Sequence, residues 1–180
     1  DNNFFALAIN GIESIAQERG YHVLIYLTHE DMQKEVATLK LLQNGRVDGI
    51  MMSISSTTSD VNHLKSYNDK DIPIVLFDRV SELLKCPKVT TDDYNSSFKA
   101  TQHLIGQKCK RIAFLSISNN LSISNKRKSG YIDALLKAGM KVDNNLVVEC
   151  TNDDTQNKHK IQAKFNYVST ASDLGLITFL

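Results

Sequence analysis

The 180 residues read as a parallel α/β protein. Three observations carry that reading. Short apolar runs rich in Ile and Val recur without the alternation of a half-exposed sheet, as strands buried on both faces require. Between them lie segments with apolar residues at helical spacing, several closed by glycine. Polar residues gather just past the apolar runs, where open α/β sheets bind their ligands.

Phe4 to Arg19 predicts a helix, with Leu7, Ala8, Ile12, Ile15 and Ala16 at helical spacing and Gly20 as its stop. Tyr21 to Leu27 predicts a strand. Asp31 opens a second helix that turns Val36, Leu39, Leu41 and Leu42 inward, with Gly45 beyond its end. Val47 to Met52 predicts a buried strand, Ser53 to Asp60 a polar loop at its carboxyl end, and Val61 to Tyr67 a short helix. Ile72 to Phe77 is the clearest strand, with Pro73 at its start, where a missing N–H is tolerated. Cys86 to Thr91 predicts a short strand, Phe98 to Gly106 a helix and Arg111 to Ile117 a buried strand. A polar loop, Ser118 to Lys126, leads to a helix carrying Tyr131, Ile132, Ala134 and Leu135 and closed by Gly139. Leu146 to Glu149 is a brief strand. Thr151 to Lys160 is polar, Phe165 to Thr170 reads as a strand, and Asp173 to Leu180 as the start of a helix. Both halves open with a strand, a helix and a strand. We therefore expect two lobes, 1–108 and 109–180, divided at the polar stretch Gln107 to Lys110.

Composition narrows the function. Apolar residues make up 42% and charged residues 23%, which suits a globular core, and the net charge of +1 lacks the basic footprint of a DNA-binding domain. No apolar run approaches the ~20 residues of a membrane span. Asp1-Asn2-Asn3-Phe4 shows no basic segment followed by an apolar stretch, so no signal peptide is expected. Cys86, Cys109 and Cys150 are odd in number and widely spaced, and the five histidines are scattered, so no metal-ligand spacing appears. Reduced thiols in a cytoplasmic protein are the expectation, with one disulfide in a secreted protein as the alternative. There is no Gly-rich phosphate loop and no nucleophile elbow, so we expect neither an enzyme nor a cofactor. Asp92-Asp93 reads as two neighbours on a strand, whose side chains point to opposite faces and do not pair for acid–base work.

What remains is a ring of polar groups at the ends of predicted strands: the Ser53 loop, Asp78 with Arg79, Asp92 to Asn95, and the loop reaching Arg127. A carboxylate accepts hydrogen bonds and a guanidinium donates several, so such a ring suits a small hydroxyl-rich ligand. The plain alternative for Asp78 and Arg79 is a surface ion pair. Phe4 and Phe5 suit stacking on a sugar ring or base, or core packing at a helix start.

One set of motifs falls in a fixed order: Asn2-Asn3-Phe4-Phe5, Gly11-Ile12-Glu13, Arg19-Gly20-Tyr21, Arg46-Val47-Asp48-Gly49-Ile50, Ile72-Pro73-Ile74-Val75, Phe77-Asp78-Arg79, Val89 with Asp92, His103-Leu104-Ile105, Lys110-Arg111-Ile112-Ala113-Phe114, and Arg127 with Gly130-Tyr131. From residue 1 to about 150 this resembles the effector-binding domain of lactose-repressor-type (LacI) transcriptional regulators, which is related to periplasmic sugar-binding proteins. The resemblance implies two Rossmann-like lobes with parallel sheets, the second incomplete in this chain, and a ligand clamped between them. It maps pocket positions onto Asn2, Phe5, Asp78, Arg79, Asn95, Arg127, Ser172 and Asp173. It implies a homodimer controlling operator DNA through an N-terminal helix-turn-helix module absent from this chain. For the dimer contact, Val61 to Tyr67 and the helix around Val36 to Leu42 are the expected contributors. Cys109 stands where the family usually has His. The alternative function is a periplasmic sugar-binding protein of a transport system.

Overall fold

A computed structural model describes residues 3–42, 45–68, 72–117, 121–151, 154–165 and 174–179. The elements in order are α1 (Asn3–Glu18), α2 (Met32–Leu42), β1 (Ile50–Met52), α3 (Asn62–Asn68), β2 (Ile74–Phe77), β3 (Lys88–Val89), α4 (Asp93–Gly106), β4 (Arg111–Ile117), α5 (Ser122–Lys137), a 3₁₀ turn (Asn144–Leu146), β5 (Val147–Cys150), α6 (Asp154–Phe165) and β6 (Leu174–Phe179). They form two three-stranded sheets, ordered β1-β2-β3 and β5-β4-β6, and every strand pair is parallel. This is the expected architecture.

Each sheet has its own core. Leu39, Leu42, Ile50, Leu64, Tyr67, Ile74, Leu76 and Leu84 pack in the first lobe. In the second, Ile112, Phe114, Tyr131, Leu135 and Ile177 cover one side of the sheet, and Ala113, Leu115, Leu146, Val148 and Cys150 the other. β4 is thus buried on both faces, as its unalternating run requires. Val61, Leu64 and Tyr67, and Leu39 and Leu42 from α2, belong to the first core and not to an outer contact face. Leu41 points out, against the inward placement expected of it.

Several expectations are corrected. Tyr21 to Leu27 takes no regular secondary structure and pairs with no strand among the described residues, and Leu24, Ile25, Tyr26 and Leu27 are exposed. A run of β-formers becomes a strand only where a neighbour supplies its hydrogen bonds. Helix α4 begins at Asp93, five residues before the expected Phe98, because the Asp92 carboxylate accepts from the Asn95 N–H and caps it. Asp92 and Asp93 are therefore a cap and a first helical turn, not strand neighbours. The polar stretch after Thr151 contains helix α6. The helix expected from Asp173 is instead strand β6, paired with β4 from Arg111↔Leu174 to Ser116↔Phe179. Gly175 permits this, because a Cβ there would lie 3.0 Å from Leu104 and 3.2 Å from Cys109 Sγ. All but the first residue of the expected Phe165 to Thr170 strand lies outside the described residues; Phe165 ends α6.

Ala100, Leu104 and Ile105 of α4 lie against the second core, while β3 belongs to the first sheet. On that packing we propose a crossover between Val89 and Asp93, ahead of the expected division at Gln107 to Lys110.

Candidate functional site

At the carboxyl end of β2 the backbone turns sharply. Asp78 adopts φ +59, a left-handed conformation that non-glycine residues take rarely and that clusters at binding sites. Flanking hydrogen bonds hold it there: its N–H donates to Val89 O at 3.0 Å, and the Ile54 N–H donates to Arg79 O at 3.1 Å. The Arg79 N–H donates to Ser53 Oγ at 3.4 Å, joining the β1 and β2 ends.

Arg79 is largely buried, and its guanidinium donates to the Glu30 carboxylate. Its Nε lies 4.0 Å from Asp78 Oδ2. Burial pushes the Glu30 carboxyl up, but the Ser56 N–H and the Arg79 guanidinium outweigh it and leave it below the usual range. The Ser53–Thr58 loop rests on a second carboxylate. Glu35, only 2% exposed, accepts from the Ser55 N–H, the Thr58 hydroxyl and His63 Nε2 at 3.0, 3.1 and 2.7 Å.

The other wall comes from the second lobe. Gly130 of α5 lies against α4 so closely that a Cβ would sit 2.2 Å from Tyr94 O. That approach brings Arg127, one turn earlier, onto Asp93: Arg127 Nε donates to Asp93 Oδ1 at 2.8 Å. Asp93 is 3% exposed, and its Oδ2 has no hydrogen-bond partner among the described residues. The two walls meet electrostatically at Asp78. Burial raises its carboxyl above the usual range; Arg79 and then Arg127 pull it down, and Asp93 pushes it up. The charge of Arg127 thus reaches Asp78 at the end of β2.

The other expected site residues fall out unevenly. Phe5 lies near the end of β2, its ring edge-on to Phe77 at 6.2 Å and to Phe4 at 5.4 Å. Asn95 is exposed, and its carboxamide donates to Asp92 Oδ2 at 2.7 Å, so part of its capacity serves the helix cap. Asn2, Ser172 and Asp173 lie outside the described residues. Glu30 and Glu35 were not expected at the site, and Asp93 was expected only within the polar stretch Asp92 to Asn95. Glu30 follows a predicted strand, a signal of the kind used for Asp78, but only the fold shows that it meets Arg79. No group among the described residues is arranged to hold a metal ion, and no described helix is long and apolar enough to cross a membrane.

The model of periplasmic binding proteins and the sugar-binding domain of the LacI family matches residues 1–170. The chain belongs to this family. It is 27% identical over 168 residues to the HTH-type transcriptional repressor PurR of Photobacterium profundum, covering 93% of this chain and 49% of that one. The structure of the transcription regulator CcpA of Lactococcus lactis superimposes with a TM-score of 0.82 at 22% identity, over 98% of this chain and 73% of that one. A Pseudomonas putida transcriptional dual regulator, Cra, solved with fructose 1-phosphate, gives 0.82 at 21% identity, over 99% and 64%. These likenesses establish the LacI-type fold. The chain spans about half the length of the curated relatives it matches.

Proposed function

We propose that this chain is the effector-sensing part of a bacterial LacI-type transcriptional regulator, cytoplasmic and homodimeric, with a sugar as its effector and no catalytic activity. The observation that supports the proposal is the placement of charged groups at two strand ends, Asp78 beside Arg79 after β2 and Arg127 paired with Asp93 across α4 and α5, which on this reading line one cleft. A ligand that bridges these groups binds one lobe arrangement better than the other. Its binding energy shifts that equilibrium, and the shift is passed to a DNA-binding module elsewhere in the full-length protein. Phe5 supplies an apolar edge for a sugar ring. Asn2, Asn95, Ser172 and Asp173 complete the pocket in this reading.

The test uses the full-length protein. A panel of sugars and nucleobases is screened by thermal shift, since a ligand of the native state raises its melting temperature. Any hit is then added to a gel-shift titration with operator DNA. A sugar that raises the melting temperature and changes the DNA affinity supports the proposal. Sugars without either effect overturn it. A sugar that binds in a protein with no DNA affinity points to the transport-protein branch of the family.

A further inference from the structure

The carboxylate of Glu30 is tied to two strand ends at once. Its Oε1 accepts from the Arg79 guanidinium beyond β2, and its Oε2 accepts from the Ser56 N–H beyond β1 at 2.7 Å. Its backbone carbonyl accepts from the Thr57 hydroxyl at 2.9 Å. Glu30 and His29 before it take φ +59 and +52, left-handed backbone that non-glycine residues keep only where their surroundings fix it. These three bonds fix it here. We infer that Glu30 is a positioning residue: it holds the Arg79 side chain off Asp78 and so leaves the Asp78 carboxylate open to a ligand.

The Asp78 side of the arrangement fits this role. Arg79 Nε is buried and has no hydrogen-bond partner among the described residues. It lies 4.0 Å from Asp78 Oδ2, beyond hydrogen-bond reach, and a shift of about 1 Å would close the gap. Asp78 and Glu30 are the carboxylates within 4.0 Å of Arg79 among the described residues. A largely buried guanidinium is costly to leave unpaired, so without the charge of Glu30 it turns to Asp78. Burial now holds the Asp78 carboxyl above the usual range, and Asp93 pushes the same way, against Arg79, then Arg127, and a hydrogen bond from Ser53. An Arg79 freed from Glu30 pulls harder and takes that carboxyl below the usual range. Asp78 is a site residue of the sugar reading, yet the role of Glu30 shows in the protein without any sugar.

The experiment is a double-mutant cycle on the melting temperature of the full-length protein, free of ligand. Asp78→Asn is made in the unaltered protein and in Glu30→Gln, which keeps an acceptor for the Ser56 N–H and removes the charge. In the unaltered protein at neutral pH it should raise the melting temperature, because the folded carboxyl titrates above its unfolded value. In Glu30→Gln it should lower the melting temperature, because Asp78 is there paired with Arg79. Both shifts should fade as pH falls below the ordinary carboxyl value of 3.8. Adding Arg79→Gln to Glu30→Gln should restore the rise, which a merely structural role of Glu30 would not do. Glu30→Ala is run alongside and should behave as Glu30→Gln does. An Asp78→Asn shift of one sign in the unaltered protein and in both Glu30 variants overturns the inference. So does a reversal that survives Arg79→Gln. Loss of a cooperative melt in both Glu30 variants makes Glu30 a scaffold residue of the lobe and overturns it as well. A failed sugar screen overturns the proposed function and leaves the role of Glu30 to this cycle.

Discussion

Replacing Gly130 with alanine should damage both stability and ligand binding. The added Cβ would lie 2.2 Å from Tyr94 O and 3.0 Å from Phe98 N, both backbone atoms that cannot rotate away. Restoring ordinary contact of about 3.5 Å needs the α4–α5 pair to part by roughly 1 Å. Overpacking of this kind costs about 1–3 kcal/mol. Alanine returns up to about 1 kcal/mol through better helix propensity, so the net loss should be about 1–2 kcal/mol. For a chain of this size that is a fall of roughly 2–8 °C in melting temperature. The same parting pulls Arg127 from Asp93, since Arg127 lies one turn from Gly130 on the same helix. Gly106→Ala is the matched control, because nothing lies within 4 Å of its Cβ position. Both are read by calorimetric melting of the full-length protein. A melting temperature for Gly130→Ala equal to or above that of the Gly106→Ala control would refute the close-approach argument.

Other outcomes follow from individual residues. Glu35→Ala strips a buried acceptor from the Ser55 N–H, the Thr58 hydroxyl and His63, and should cost about 2–4 kcal/mol in urea titrations. Asp78→Asn should raise stability at neutral pH yet weaken ligand binding at least tenfold. The folded carboxyl titrates above its unfolded value of 3.8, so Asp78 costs stability as pH climbs past that value, and Asn carries no such cost while tolerating φ +59. Melting curves between pH 3 and 7 (roughly the range in which carboxyls titrate) should therefore converge at the acid end and separate at the neutral end. Tyr131 donates to Ile112 O at 2.8 Å, and burial pushes its hydroxyl up to about 12. Unfolded tyrosine ionises near 10, so stability should fall as pH rises from 10 toward 12, and Tyr131→Phe should flatten that fall.

Much of this was legible in the sequence because it is local. The run Ile74–Phe77 announces a strand, and the abrupt Asp78-Arg79 after it announces a ligand edge. Tyr131 and Leu135 at helical spacing announce the buried face of α5. What the sequence hid depends on partners far along the chain. Arg79 finds Glu30 across 49 residues, and Arg127 finds Asp93 across 34. Neither pair has a spacing rule. Asp92 and Asp93 misled because a helix cap and a strand end use the same residue types, and Asn95 three positions on was the cue for a cap. Leu174 to Phe179 misled because a short apolar run fits a buried helix or a buried strand equally well, and only pairing with β4 decides.

The central claim is that one ligand is held by both lobes at once, and a double-mutant cycle on its affinity tests this most directly. The sugar found by screening is titrated into the full-length protein and into Asp78→Asn, Arg127→Gln and the double variant. Each single change should weaken binding at least tenfold. The double variant should lose clearly less than the product of the two single losses, because residues that grip one ligand are coupled. If either single variant binds as tightly as the unaltered protein, or if the two losses simply multiply, the cleft between Asp78 and Arg127 is not where the ligand is held.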